Sequence, residues 1–167
     1  MAVRAAAVAL VALVTACATP TDRTSIGSVA RVADGDSFVV AGGARVRLLQ
    51  IDAPELGDGE CYGREATREL GRLLEPGDAV ELENDRGLDD VDRHGRLLRY
   101  VLRDGVNVNV ELVRRGAAAP FFLGGERGRY ADQLLDAVED ARRADAGMWA
   151  SCSVRWHPER QVETRPR

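Results

Sequence analysis

Apolar residues follow two spacings along the chain. Ser28-Val-Ala-Arg-Val-Ala33 alternates apolar with polar or small, which predicts a strand. Asp34-Gly35-Asp36 is a turn signal, Ser37 to Ala41 a second strand, Gly42-Gly43 a turn, and Ala44 to Ile51 a third strand rich in Val and Leu. Three strands in tight succession form a meander. Pro54 stops the third, and 55–60 reads as a loop. From Gly63 to Leu74 the period lengthens: Ala66, Leu70, Leu73 and Leu74 share one helix face, and Pro76-Gly77 ends it. Ala79 to Glu83 is a fourth strand, 85–95 a polar loop, and Arg96 to Leu102 a fifth strand closed by the Asp104-Gly105 turn. Asn109 is placed to cap a short helix over 110–115, with Gly116 at its stop. Tyr130, Leu134, Val138 and Ala141 mark a third helix, which Gly147 ends. Residues 153–167 are polar without an apolar period and read as a loose tail. The pattern suggests an α+β fold, mainly β: a five-stranded Greek-key barrel of the OB type with three helices, which composition alone does not separate from other α+β folds.

The N-terminus has a different character. Arg4 precedes an uncharged run of Ala, Val and Leu from Ala5 to Val14, and small residues follow. This is the layout of an export signal, and the run is too short for a transmembrane helix of about 20 residues. Two cleavage sites fit. Ala16-Cys17-Ala18 has the small-x-small form of a secretory site, and Val14-Thr-Ala-Cys17 resembles a lipobox, in which Cys17 is lipidated. The reading favours the lipobox. The chain then divides into a signal over 1–16, a tether over 17–25, a domain over 26–152 and the tail over 153–167. The expected location is the cell envelope, lipid-anchored, or the medium. Three Cys make an odd count for an exported chain. With Cys17 lipidated, Cys61 and Cys152 remain as a pair for an oxidising compartment; two unpaired thiols are the alternative.

Composition narrows the function. A net charge of −4 excludes a blanket basic coat for nucleic acid but leaves room for a local basic cleft. The 23 Lys-or-Arg positions are all Arg, so any cation that binds phosphate here is a guanidinium, able to bind bidentately. Asp34 and Asp36 stand two apart at one strand end, and Asp52 and Glu55 at another. Oxygen donors of this kind suit a hard cation such as Ca2+, provided the two segments meet in space. Arg47 sits inside an apolar strand and Arg96 opens another. A guanidinium there needs an anion: a buried Asp or a bound phosphate. Ideal alternation puts Arg47 and Asp52 on opposite faces, so one shared site requires a bend or bulge between them.

The ordered set Asp34-Gly-Asp36-Ser37, Arg47-Leu-Leu-Gln-Ile-Asp52-Ala-Pro-Glu55, Cys61-Tyr-Gly-Arg-Glu-Ala66, Asp92-Arg-His-Gly-Arg96-Leu-Leu-Arg-Tyr100 and Gly147-Met-Trp149 resembles the thermonuclease (staphylococcal nuclease-like) family over roughly 28–149. The resemblance implies a five-stranded OB barrel with three helices. It also implies a Ca2+-dependent phosphodiesterase that cuts DNA and RNA and leaves 3′-phosphates. By position, Asp36, Asp52 and the Ala53 carbonyl would be Ca2+ ligands, with Asp34 behind them. Glu55 would activate or orient the attacking water, and Arg47 and Arg96 would clamp the phosphate. Ala53 and Ser37 stand where Thr is usual. His94 replaces a Tyr and either donates a phosphate hydrogen bond or is a solvent-facing loop residue; Phe122 replaces a Tyr that contacts the nucleotide, and either stacks on a base or packs in the core with Phe121. The expectation is an exported monomeric nuclease acting on DNA or RNA. A catalytically silent OB module that binds single strands or another anion is the alternative, and an envelope scaffold lipoprotein is a third reading.

Overall fold

The computed structural model describes residues 24–57 and 59–167. The export signal, Cys17 and most of the tether lie outside the described residues. Strands β1 (Thr24–Val32), β2 (Ser37–Val40) and β3 (Arg45–Leu48) form the expected antiparallel meander. A two-residue strand β4 (Ile51–Asp52) follows, then helix α1 (Gly63–Leu73) and β5 (Ala79–Glu83). Next come β6 (Leu97–Arg103), β7 (Val106–Asn107), α2 (Val108–Arg114) and β8 (Ala119–Pro120). A 3-10 turn at Leu123–Gly125, α3 (Ala131–Arg143), the single turn α4 (Met148–Ser151), β9 (Cys152–His157) and β10 (Arg160–Pro166) complete the order.

The main sheet runs β3-β2-β1-β5-β6-β7, and β3 also pairs with β6 in parallel, which closes a barrel on five strands. Closure removes the exposed edges that an open sheet would carry. Phe38, Val46, Leu48, Val80, Leu82 and Val101 are buried inside and pack with Ala66 and Leu70 of α1 and Leu112 of α2.

Three expectations are corrected. Thr24 and Ser25 pair with Glu83 and Leu82, so β1 begins inside the supposed tether, because the far end of β5 offers unpaired backbone there. Asn107, not Asn109, caps α2: its side chain accepts from the Val110 amide. Asn109 is fully buried, accepts from the Val101 amide and donates to the Leu49 and Arg99 carbonyls, which fastens α2 to the barrel. The supposed loose tail is the β9–β10 hairpin. Its inward positions Cys152, Val162 and Thr164 are buried, and Trp156 donates to the Pro120 carbonyl. An alternating two-stranded ribbon hides few side chains, so its sequence carries little apolar signal.

Candidate active site

The site is organised by a break in the third predicted strand. Regular pairing ends at Leu48, and Gln50 takes a left-handed conformation with φ of 60°. Its buried side chain pins the break: the amide nitrogen donates to the Glu126 carbonyl, and the oxygen accepts from the Tyr100 hydroxyl and the Gly128 amide. Beyond the break β4 pairs with β8 rather than with the barrel. This is the bend that the sequence required, and it brings Asp52 to the same side as Arg47.

Arg47 wraps around the bend. Its guanidinium donates to the carbonyls of Leu48 and Ile51. It also pairs with Asp36 Oδ2 at 2.9 Å and Asp52 Oδ1 at 3.1 Å. Both acids are buried, at 7% and 2% exposure. The Asp34-Gly35-Asp36 turn is held close to β4: a Cβ on Gly35 would lie 2.7 Å from the Ala53 Cβ and 3.0 Å from the Ala66 Cβ. Asp34 accepts from the Asp36 amide, and Asp36 Oδ2 accepts from the Ala53 amide. Burial pushes the Asp36 carboxyl up to about 7, with Arg47 pulling it down and Asp34 adding repulsion. Burial raises Asp52 also, opposed by Arg47 and by the Val162 amide.

Two buried acids share one guanidinium, which leaves the centre one positive charge short when both are ionised. Their oxygens suit a hard divalent cation, which takes carboxylates, carbonyls and water together. Among the described residues no group of three or more His, Cys, Asp or Glu is placed to hold a metal, so backbone oxygen and water would complete the shell. The contact that Ala53 makes with the pair runs through its N–H.

A second guanidinium stands beyond the pair. Arg96 donates to Asp92 Oδ2 at 2.6 Å and to the Ser37 hydroxyl at 3.2 Å, and that hydroxyl donates to Asp36 Oδ1. Asp92 also accepts the backbone amides of His94 and Arg96. Burial raises Asp92, but these bonds outweigh it and hold the carboxyl at about 2. A cleft of about 510 Å³ opens beside this network, lined by Arg47, Arg96, His94, Phe121, Leu123 and Gln161 among others.

The structure places the remaining candidates unevenly. His94 is exposed and lines the cleft. Of the two readings of Phe122 the structure takes core packing and corrects base contact: it is 1% exposed, packed beneath the Arg127 guanidinium, and cannot stack on a base. The segment is extended, so its neighbour Phe121 points the other way and lines the cleft. Glu55 is exposed at the start of the loop after Pro54 and is not among the residues lining the cleft. Its amide donates to the Glu60 carboxylate. Cys61 and Cys152 form a disulfide. Sequence reasoning missed Gln50, Phe121 and Gln161. Gln50 had a signal, as the one amide within Leu-Leu-Gln-Ile; Gln161 had none in its polar surroundings.

The staphylococcal nuclease homologue family matches residues 45–151. The chain belongs to this family. The match begins at β3 and takes in Arg47, the break, the Asp52–Glu55 segment and Arg96. Among relatives, the endonuclease YhcR of Bacillus subtilis (strain 168) is 33% identical over 138 residues, 74% of this chain and 11% of the relative. The endonuclease YncB of the same strain is 32% identical over 127 residues, 72% of this chain and 59% of the relative. An uncharacterized endonuclease of Escherichia coli O157:H7 is 35% identical over 129 residues, 74% of this chain and 76% of the relative. This staphylococcal nuclease homologue thus spans 11% to 59% of the length of YhcR, YncB and the prophage-derived endonuclease YokF.

Proposed function

We propose that the chain is an exported Ca2+-dependent nuclease that hydrolyses phosphodiester bonds of DNA, RNA or both and leaves 3′-phosphates. The observation that carries this reading is the convergence of the buried Asp36 and Asp52 on Arg47, which lines a cleft that also presents Arg96. Relatives named endonucleases support it.

Asp36 and Asp52, with the Ala53 carbonyl, would hold Ca2+, which would supply positive charge for the developing phosphoryl oxyanion. Arg96 is held in place by Asp92 and Ser37, so its guanidinium meets a phosphate without first being ordered. Arg47 is the second clamp and also offsets part of the charge of the acid pair. Glu55, exposed beside Pro54, is the group that would take or orient the proton of the attacking water. His94 adds a donor at the cleft rim, and Phe121 with Leu123 gives a base an apolar wall.

Export rests on the Arg4 to Cys17 pattern and on the Cys61–Cys152 disulfide, a bond of oxidising compartments. Cys17 is the proposed lipid anchor, and the mass of the mature protein reads it directly. A monomer suffices, since one barrel carries every group named.

The test is cleavage of single-stranded DNA and of RNA by the purified protein, with Ca2+ and then with excess chelator. Cleavage should appear with Ca2+ and vanish with chelator. Glu55→Ala and Arg96→Ala should each lower the rate by about 100- to 1000-fold while the fold persists. Tight binding of single strands without cleavage in Ca2+ would instead identify a silent binding module. Wild-type rates in either folded variant would remove those residues from the mechanism.

A further inference from the structure

The family match stops at residue 151, and the hairpin begins at Cys152. That hairpin nonetheless reaches the centre of the site. The Val162 amide donates to Asp52 Oδ2 at 2.8 Å across 110 residues of sequence, and the neighbouring Gln161 side chain favours the charged form of the same carboxylate. Arg47 takes the other oxygen, Oδ1. The hairpin thus occupies one side of Asp52 and turns the opposite oxygen toward Asp36 and Arg47.

The same ribbon grips two further segments: the one that carries Phe121 at the cleft, and the loop that starts at Glu55, which lies outside the cleft lining. At the first, the Pro158 carbonyl accepts from the Phe122 amide, and Trp156 donates to the Pro120 carbonyl; Phe121 lies between those two anchors. At the second, Thr164 donates to the Cys61 carbonyl, and the disulfide ties Cys61 to Cys152. Cys61 closes the loop that starts at Glu55. Three separate segments that carry candidate chemistry are fastened to one element outside the family domain.

We propose that the β9–β10 hairpin is the positioning element of the metal site, with Gln161 and the Val162 amide orienting Asp52 for Ca2+ and the disulfide holding the hairpin in register. This rests on the Ca2+ reading above. Gln161 is a positioning residue, since it acts through Asp52. Groups that orient a ligating carboxylate typically alter metal affinity about 10- to 100-fold when removed. Binding and order are reciprocal, so Ca2+ should in turn steady the hairpin.

The experiment compares the wild type, Gln161→Leu and the double variant Cys61→Ser/Cys152→Ser. Calorimetry measures the Ca2+ dissociation constant, and hydrogen exchange follows residues 160–164 with and without Ca2+. Gln161 is exposed, so its replacement should leave the thermal midpoint near that of the wild type. Both variants should bind Ca2+ about 10- to 100-fold more weakly. In Gln161→Leu, kcat should return to within a few-fold of wild type at saturating Ca2+. In the wild type, Ca2+ should slow exchange at 160–164. Wild-type affinity in both folded variants, with exchange unmoved by Ca2+, overturns the proposal while the metal reading stands. A wild type that takes up no Ca2+ overturns the metal reading and this proposal together.

Discussion

Arg47 and Arg96 show how one residue type serves two electrostatic situations. Arg47 is half-buried between two acids that burial pushes up; Arg96 is half-exposed beside Asp92, whose carboxyl is held at about 2. Asp92 is therefore ionised in the native protein at every ordinary pH. Its folded value lies below the usual carboxylate value of 3.8, so its contribution is complete above that pH and is lost as pH falls toward 2. Asp36 has the opposite sign: it is raised to about 7 and favours the fold least once it ionises. The two effects oppose each other in the wild type, so a difference measurement separates them. Asp92→Asn should be less stable than wild type at pH 7. The gap should narrow between pH 4 and 2, as read by urea denaturation across pH. A gap that stays constant to pH 2 would remove Asp92 as the anchor of Arg96.

At the level of elements, the site depends on close approach between a turn and a broken strand. The turn at Gly35 presses on Ala53 and on α1, where an added Cβ would meet both alanines at 3.0 Å or less. Neither neighbour can swing aside, because each is a Cβ fixed to its backbone. Gly35→Ala should cost about 1–3 kcal/mol in denaturant unfolding. Full stability in that variant would show that the turn moves away freely. The strand break has the same logic. Gln50 takes a left-handed backbone, which a non-glycine residue accepts only when its surroundings hold it, and three hydrogen bonds to its side chain do so.

At the level of the whole molecule, the barrel and the hairpin are two hydrophobic units joined by a covalent bond. Ala119, Met148, Cys152 and Val162 form a small cluster beside the main core. The disulfide spans 91 residues of sequence, and a closed loop of that length is worth roughly 4–5 kcal/mol in the chain-entropy account before strain is subtracted. The Cys61→Ser/Cys152→Ser variant should therefore unfold at lower denaturant than wild type, by an amount up to that limit. Identical midpoints would mean that packing alone secures the hairpin. Among the described residues no helix is long and apolar enough to cross a membrane.

Much of this was legible in the chain itself. Alternating Val and Leu set the meander, a helical period set α1 and α3, and the conflict between Arg47 and Asp52 on one ideal strand demanded a bend. Those are local facts: period, turn chemistry and charge are written in neighbouring residues. The pairing of Asp36 with Asp52, the choice of Phe121 over Phe122 for the cleft, and the true cap of α2 were decided by packing, because each depends on which side of an element meets a distant one. The hairpin was the least legible. Its strands bury few side chains, and its grip on Asp52 comes from the backbone amide of Val162, a group that every non-proline residue carries and no sequence pattern can single out.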